Sequence, residues 1–214
     1  MIAGVLGAYI HSDLDTEHIT DRVVYEGGSI GGYLAYLNGG FHADLLVKAD
    51  LLTLTYQQRA LAGDFDARSI GGSLELGYRF EIGNGFYLNP LGQLAYVASD
   101  IDHGMLADTI PLSFTNGDSL RSRAGLRAGY RVALADAMMI EPYLDAHFLH
   151  EFAGSNRGTA FGYLGARNEL DSWGTVGGGI QVTAAQFTAF ANLQSFIGGE
   201  IDGFAGQGGV RWSF

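Results

Sequence analysis

The last eleven residues read Phe204-Ala205-Gly206-Gln207-Gly208-Gly209-Val210-Arg211-Trp212-Ser213-Phe214. Even positions hold Phe204, Val210, Trp212 and Phe214 with two glycines between them. Odd positions hold Ala205, Gln207, Gly209, Arg211 and Ser213. A period of two marks a β-strand, because successive side chains on a pleated strand point to opposite faces. One face of this strand is apolar and aromatic, and the other is small and polar.

The same division recurs upstream. Residues 123–132 set Ala124, Leu126, Ala128, Tyr130 and Val132 against Arg123, Gly125, Arg127, Gly129 and Arg131. Residues 140–148 set Ile140, Pro142, Leu144, Ala146 and Phe148 against Glu141, Tyr143, Asp145 and His147. Residues 72–80 set Gly72, Leu74, Leu76, Tyr78 and Phe80 against Ser73, Glu75, Gly77 and Arg79, and residues 43–51 repeat the pattern. Weaker alternation through 2–12, 29–37, 86–99, 173–183 and 187–196 brings the count to ten segments of about 9–14 residues.

In a soluble sandwich the apolar strand faces form the core and the polar faces meet water. Here the apolar faces of the clear segments carry no charge, while the polar faces mix acids and bases with glycine and serine. That pattern belongs to a membrane barrel, apolar outward to lipid and polar inward to a lumen. The expected fold is therefore all-β, an antiparallel transmembrane β-barrel of ten counted strands forming one domain over residues 1–214. Phe80, Phe86, Tyr130, Phe152, Trp173, Trp212 and Phe214, at segment ends, suit interfacial aromatic girdles.

Composition narrows the class. The chain has 33 glycines and no cysteine, so neither a disulfide framework nor a thiolate metal site can form. Its 23 acidic and 12 basic residues give a net charge of −11, which argues against nucleic acid as a partner. No run of about 18 apolar residues is present, so a membrane-spanning helix is not expected. Residues 1–10 lack the basic start and cleavage site of a signal peptide and read as part of a mature domain or of a longer chain.

Connections alternate in length. Residues 38–40, 81–85, 133–138 and 184–185 are short turns, whereas 13–27, 56–69, 100–119 and 151–171 are long loops, with 197–202 a brief exception. These loops hold sixteen acidic residues and five arginines, so the entire net charge lies on one rim. Short turns on one rim and long loops on the other fit an outer-membrane barrel. An even strand count then places both termini on the short-turn, periplasmic side.

Several stretches resemble the translocator β-domain of classical (type V) autotransporters. They are residues 71–80 (GGSLELGYRF), 123–131 (RAGLRAGYR), 141–143 (EPY), 149–152 (LHEF) and 208–214 (GGVRWSF). The resemblance implies a twelve-stranded barrel in the outer membrane of Gram-negative bacteria that helps to secrete an N-terminal passenger carried in cis. Ten strands are counted here, and the family's plug helix and first two strands have no counterpart before Met1. Either the chain is a partial twelve-stranded barrel or ten strands close alone. First-to-last pairing of residues 2–12 with 206–214, giving a narrower barrel, is expected in any stable form of the chain, since an open sheet edge in hydrocarbon is costly.

The polar side chains expected to face the lumen are Glu75, Arg79, Arg123, Arg127, Arg131, Glu141, Asp145 and Arg211. The arginines at 123, 127 and 131 are placed to pair across strands with Glu141 and Asp145. The terminal Val210, Trp212 and Phe214 resemble the signal read by the barrel-assembly machinery. A hydrolase would need a nucleophile, a base and an orienting group in contact. The pairs His147–Asp145 and His42–Asp44, and His150 beside Glu151, are too common on strands to indicate one. No catalytic residue, metal site or cofactor is expected. The function expected is membrane anchoring and help in exporting a passenger. The alternatives are a stand-alone porin or adhesin-type barrel, with the acidic loops as its working surface, and a barrel hydrolase.

Overall fold

The structure, a computed structural model, describes residues 1–15, 21–58, 61–102, 104–106, 110–114, 117–135, 138–154, 156–160, 163–168, 171–198 and 203–212. The strands in chain order are β1 (Ile2–Asp15), β2 (Asp21–Asn38), β3 (Phe41–Gln58), β4 (Leu61–Tyr78), β5 (Phe80–Gly83), β6 (Phe86–Ile101), β7 (Gly104–Leu106) and β8 (Ile110–Phe114). They continue with β9 (Gly117–Tyr130), β10 (Val132–Ala135), β11 (Met138–Gly154), β12 (Asn156–Ala160), β13 (Tyr163–Asn168), β14 (Ser172–Ala184), β15 (Phe187–Ile197) and β16 (Gly203–Trp212). The ten long strands form one antiparallel sheet in the order β1-β2-β3-β4-β6-β9-β11-β14-β15-β16, with β5 added on β6 and β10 on β11. Each long strand pairs with its predecessor in the chain, so every ladder closes a hairpin.

Alternation sorts the side chains as the period of two requires. Leu34, Leu45, Leu74 and Leu94 stand side by side on β2, β3, β4 and β6. All four are 37–50% exposed, and Leu144 is 71% exposed. At the neighbouring pleat Asp44, Glu75, Gln93 and Arg123 lie in one row on the other face. Arg79, at the end of β4, reaches Glu141 on β11 at 2.9 Å, passing over both β6 and β9. Only a sheet curled strongly toward its polar face brings those strands so close, since neighbouring strands are spaced ~4.8 Å apart.

The polarity reverses part-way along the strands. Beyond Leu51 the outward row on β2, β3 and β4 is Glu26, Thr53 and Asp66, while the inward row is Tyr25, Leu54 and Phe65. Leu54 and Phe65 are buried and pack with Val23, Tyr25, Tyr56 and Ile101. Past this level the sheet is apolar within and polar without, as a water-soluble sheet would be. Outside the apolar band, Glu26 binds the Tyr9 hydroxyl and the His11 ring, which together hold its carboxyl below the usual range. Arg22 does the same for Asp13.

Three expectations need correction. First, the segments read as loops 13–27 and 56–69 are largely strand, because β1 to β4 run on as protruding hairpins. The alternation changes phase at Leu51-Leu52, which ends the sequence pattern, although the backbone ladder continues. Second, the loops after β6 and β11 carry strands of their own. β12 pairs with β8, and a small sheet of order β13-β12-β8-β7 results. It meets the main sheet where Gly104 lies against the Phe65 ring, leaving no room for a Cβ. Third, no ladder joins β1 to β16 among the described residues, so residues 2–12 do not pair with 206–212. Of the two alternatives the described strands fit the partial barrel, with β1 and β16 as the edges of its sheet.

The short turns have defined chemistry. Asn84 and Gly85 take φ of +53° and +86°, the two left-handed residues of a type I′ hairpin, which Asn-Gly favours. Ala185 takes φ +50°, a conformation that strains any residue with a Cβ. Ala185→Gly is accordingly expected to raise stability by ~0.5–1 kcal/mol, measured by urea unfolding in detergent micelles. Leu144→Arg, on the apolar outer face, should cost ~2–4 kcal/mol when the protein is unfolded from lipid vesicles. A silent Leu144→Arg would mean that this face does not meet hydrocarbon.

Candidate functional site

The concave face is built around the arginines of β9, which recur at alternate positions because the strand turns the same pleat inward every second residue. Each meets an acid. Arg121 Nε donates to Glu151 Oε2 at 2.9 Å, and Ser119 Oγ donates to Glu151 Oε1 at 2.7 Å. Arg123 Nη2 donates to Glu75 Oε2 at 2.6 Å across the intervening β6. Arg127 Nη2 donates to Asp145 Oδ2 at 3.2 Å, with its guanidinium 4.0 Å from the centre of the Tyr143 ring. At the short-turn end Glu141 accepts from Arg79 at 2.9 and 3.2 Å, from the Tyr87 hydroxyl at 2.9 Å and from Arg131 Nε at 3.1 Å.

Glycines make room for the larger members of this face. The His147 ring lies over Gly125 and the Tyr87 ring over Gly129, both with no space for a Cβ. This explains why glycine alternates with arginine in residues 123–131. The arginine side chains need aromatic and acidic neighbours on adjoining strands, and glycine beneath those neighbours lets them lie flat.

The polar groups surround a cavity of about 650 Å³. It runs from His42, Asp44 and Glu75 on β3 and β4 to Gln207 and Arg211 on β16. All eight polar residues singled out in the sequence have positions on the concave face. Arg123 and Arg79, however, reach acids on non-adjacent strands rather than the neighbouring one. Arg211, opposite Thr188, makes no ion pair among the described residues. Tyr87, Arg121 and Glu151 also belong to the network. Tyr87 shares the parity of Asn89 and Glu151 that of Glu141 and Asp145, but Glu151 falls in residues 151–171, which read as a loop although β11 runs on through it to the bulge between Glu151 and Ala153.

The outward aromatics gather at the short-turn end as contacting pairs: Tyr36–Phe41, Tyr78–Phe80, Phe86–Tyr130 and Phe187–Trp212. Trp173 is not among them. It lies buried on the concave face beneath Arg121, because β14 has crossed the level at which the inner face turns apolar. Val210 and Trp212 point outward and are exposed. Phe214 lies outside the described residues.

No relay for hydrolysis is assembled at the histidines considered. Asp145 at 3.9 Å and Thr175 Oγ1 at 3.4 Å both face Nδ1 of His147, whereas a nucleophile and its orienting acid must engage opposite ring nitrogens. His150 likewise turns Nδ1 to both Ser172 and Asp171. Among the described residues one set of metal-ligating side chains converges: His42, Asp44 and Glu75.

Glu141 is the hub of the network, partly buried and bound by two guanidinium groups and one phenol. Glu141→Ala would take the acceptor from the Tyr87 hydroxyl and from the Arg79 Nη groups, leaving Arg79 held by Glu81 at 2.8 Å alone, and is expected to cost ~2–4 kcal/mol. Arg211→Ala should cost no more than ~0.5 kcal/mol. Urea unfolding of both variants in micelles measures the difference, and equal values would remove Glu141 from the centre of the network.

Comparison with known proteins agrees with the geometry. The family model described as autotransporter beta-domain matches residues 1–195. The pertactin autotransporter of Bordetella bronchiseptica is 31% identical over 132 residues, spanning 59% of this chain and 14% of that protein. The autotransporter adhesin/invasin TibA of Escherichia coli is 27% identical over 176 residues, spanning 79% of this chain and 18% of that protein. The chain thus covers about a seventh of the pertactin autotransporter's length. Among solved structures, the beta domain of the Bordetella autotransporter BrkA superposes with a TM-score of 0.81 at 20% identity. It covers 99% of this chain and 82% of its own. The transport unit of the Escherichia coli autotransporter AIDA-I gives the same TM-score and coverages at 16% identity. The fold is therefore that of these barrels, and the chain belongs to the autotransporter β-domain family.

Proposed function

We propose that residues 1–214 form one translocator barrel domain that anchors a longer polypeptide in the membrane and helps to export an attached passenger. Family membership places the domain in the bacterial outer membrane. The observation that carries the functional reading is the inverted sheet, with leucines exposed on its outer face and ion pairs lining the curled inner one. A polar, hydrated interior offers hydrogen-bond partners to an extended polypeptide at every step, and no catalytic group or cofactor is needed for passage. Glu75, Arg79, Arg123, Arg127, Arg131, Glu141, Asp145 and Arg211 would line that path.

In this reading both termini lie at the periplasmic rim, with the aromatic pairs marking that interface. The protruding hairpins and the small sheet then stand on the outer side. Val210, Trp212 and Phe214 serve as the signal for the assembly machinery, which suits an apolar and aromatic face left outward on the last strand.

The test uses the full-length protein in Gram-negative cells. Protease added outside should cleave the passenger while the outer membrane stays intact, and deletion of residues 210–214 should abolish insertion and surface exposure together. A passenger retained in the periplasm behind a correctly inserted barrel would overturn the export reading. Ion conductance by the purified domain without any passenger exposure would favour a porin.

A further inference from the structure

His42 and Asp44 are two residues apart on β3, and Glu75 stands opposite Asp44 on β4. One ligand atom from each lies within 4.8 Å of the others, with His42 Nε2 3.9 Å from Glu75 Oε1. We propose that His42, Asp44 and Glu75 bind a divalent transition-metal ion of the zinc class on the inner face of the barrel. The inference does not rest on passenger export.

Three observations support it. The residue opposite His42 is Gly77, and the imidazole ring fills the space that a Cβ there would occupy. The ring is thereby laid along the sheet toward Glu75 instead of standing off into the interior. Second, the charges fit a cation. Glu75 Oε2 is held by Arg123, leaving Oε1 facing His42, while Asp44 makes no ion pair or hydrogen bond among the described residues. One imidazole nitrogen and two carboxylate oxygens, one of the acids uncompensated, make a donor set matched to Zn²⁺ or its neighbours rather than to Mg²⁺ or Ca²⁺, which take oxygen alone. Third, all three side chains line the large cavity, so an ion has an entry path and water can complete its coordination. Ligand atoms around a tetrahedral ion with ~2.0–2.2 Å bonds lie ~3.4 Å apart, so closure requires only small carboxylate rotations.

The signal is invisible to sequence spacing, because the third ligand comes from a neighbouring strand through register. Arg123 supplies the outer contact that fixes the Glu75 carboxylate, as a hydrogen-bonded second layer does around known metal sites.

The test is titration of the untagged, detergent-folded protein with Co²⁺. One equivalent should bind, give visible d–d absorption and be displaced by Zn²⁺. His42→Gln and Asp44→Asn should each weaken binding by at least the ~10–100-fold that loss of an outer-layer partner alone brings. Gly77→Ala keeps all three ligands yet should weaken binding by displacing the ring. His11→Gln, at an exposed His–Glu pair, should change nothing. Heat-dependent migration in SDS checks that each variant is folded. As an independent readout on the wild type, Cu²⁺ should show magnetic coupling to a single imidazole nitrogen. Lack of stoichiometric binding, wild-type affinity in either ligand variant, or coupling to no nitrogen or to several, overturns the proposal.

Discussion

Inside hydrocarbon a backbone amide has no water to bond, and each one left unpaired costs several kcal/mol. The rest of this structure follows from that constraint. Strands satisfy it only by pairing, so ten long strands run as successive antiparallel hairpins, each taking up the hydrogen-bonding edge of the one before. Pairing in turn fixes the register, and the register fixes which side chains share a face. The apolar rows that meet lipid and the charged rows that do not are thus two readings of one ladder.

The charged rows also shape the sheet. Arg79–Glu141 and Arg123–Glu75 join strands that are not neighbours, and such contacts exist only at one curvature. With Tyr87 and Tyr143 stacked beneath guanidinium groups, the interior is an internal brace rather than loose polar filling.

The fold class was legible because a period of two with charge confined to one face has few physical explanations. Arg123, Arg127, Glu141 and Asp145 could be placed on one face by parity alone. Pairings that skip a strand could not, since Glu75 and Arg123 are related by curvature, which no local pattern encodes. Trp173 was misread for a related reason. Parity gives the face, but the meaning of that face changes with depth, and nothing near Trp173 marks the depth. The continuation of β1 to β4 was hidden at Leu51-Leu52, where two consecutive leucines switch the pattern while the hydrogen bonds carry on.

That switch also works as a depth gauge. From Phe41 to Leu51 the outer face of β3 is free of charge, about eleven residues at ~3.3 Å each. Inclined by ~45°, this length spans a height of roughly 25 Å, the apolar band of an outer-membrane barrel. Just at its upper edge Arg68 and Asp100 stand opposite each other on β4 and β6. A bilayer only a few ångströms thicker would pull both charges into hydrocarbon, so hydrophobic mismatch opposes residence in thick membranes. The chain therefore carries in its strand pattern a preference for the thickness of the membrane it enters.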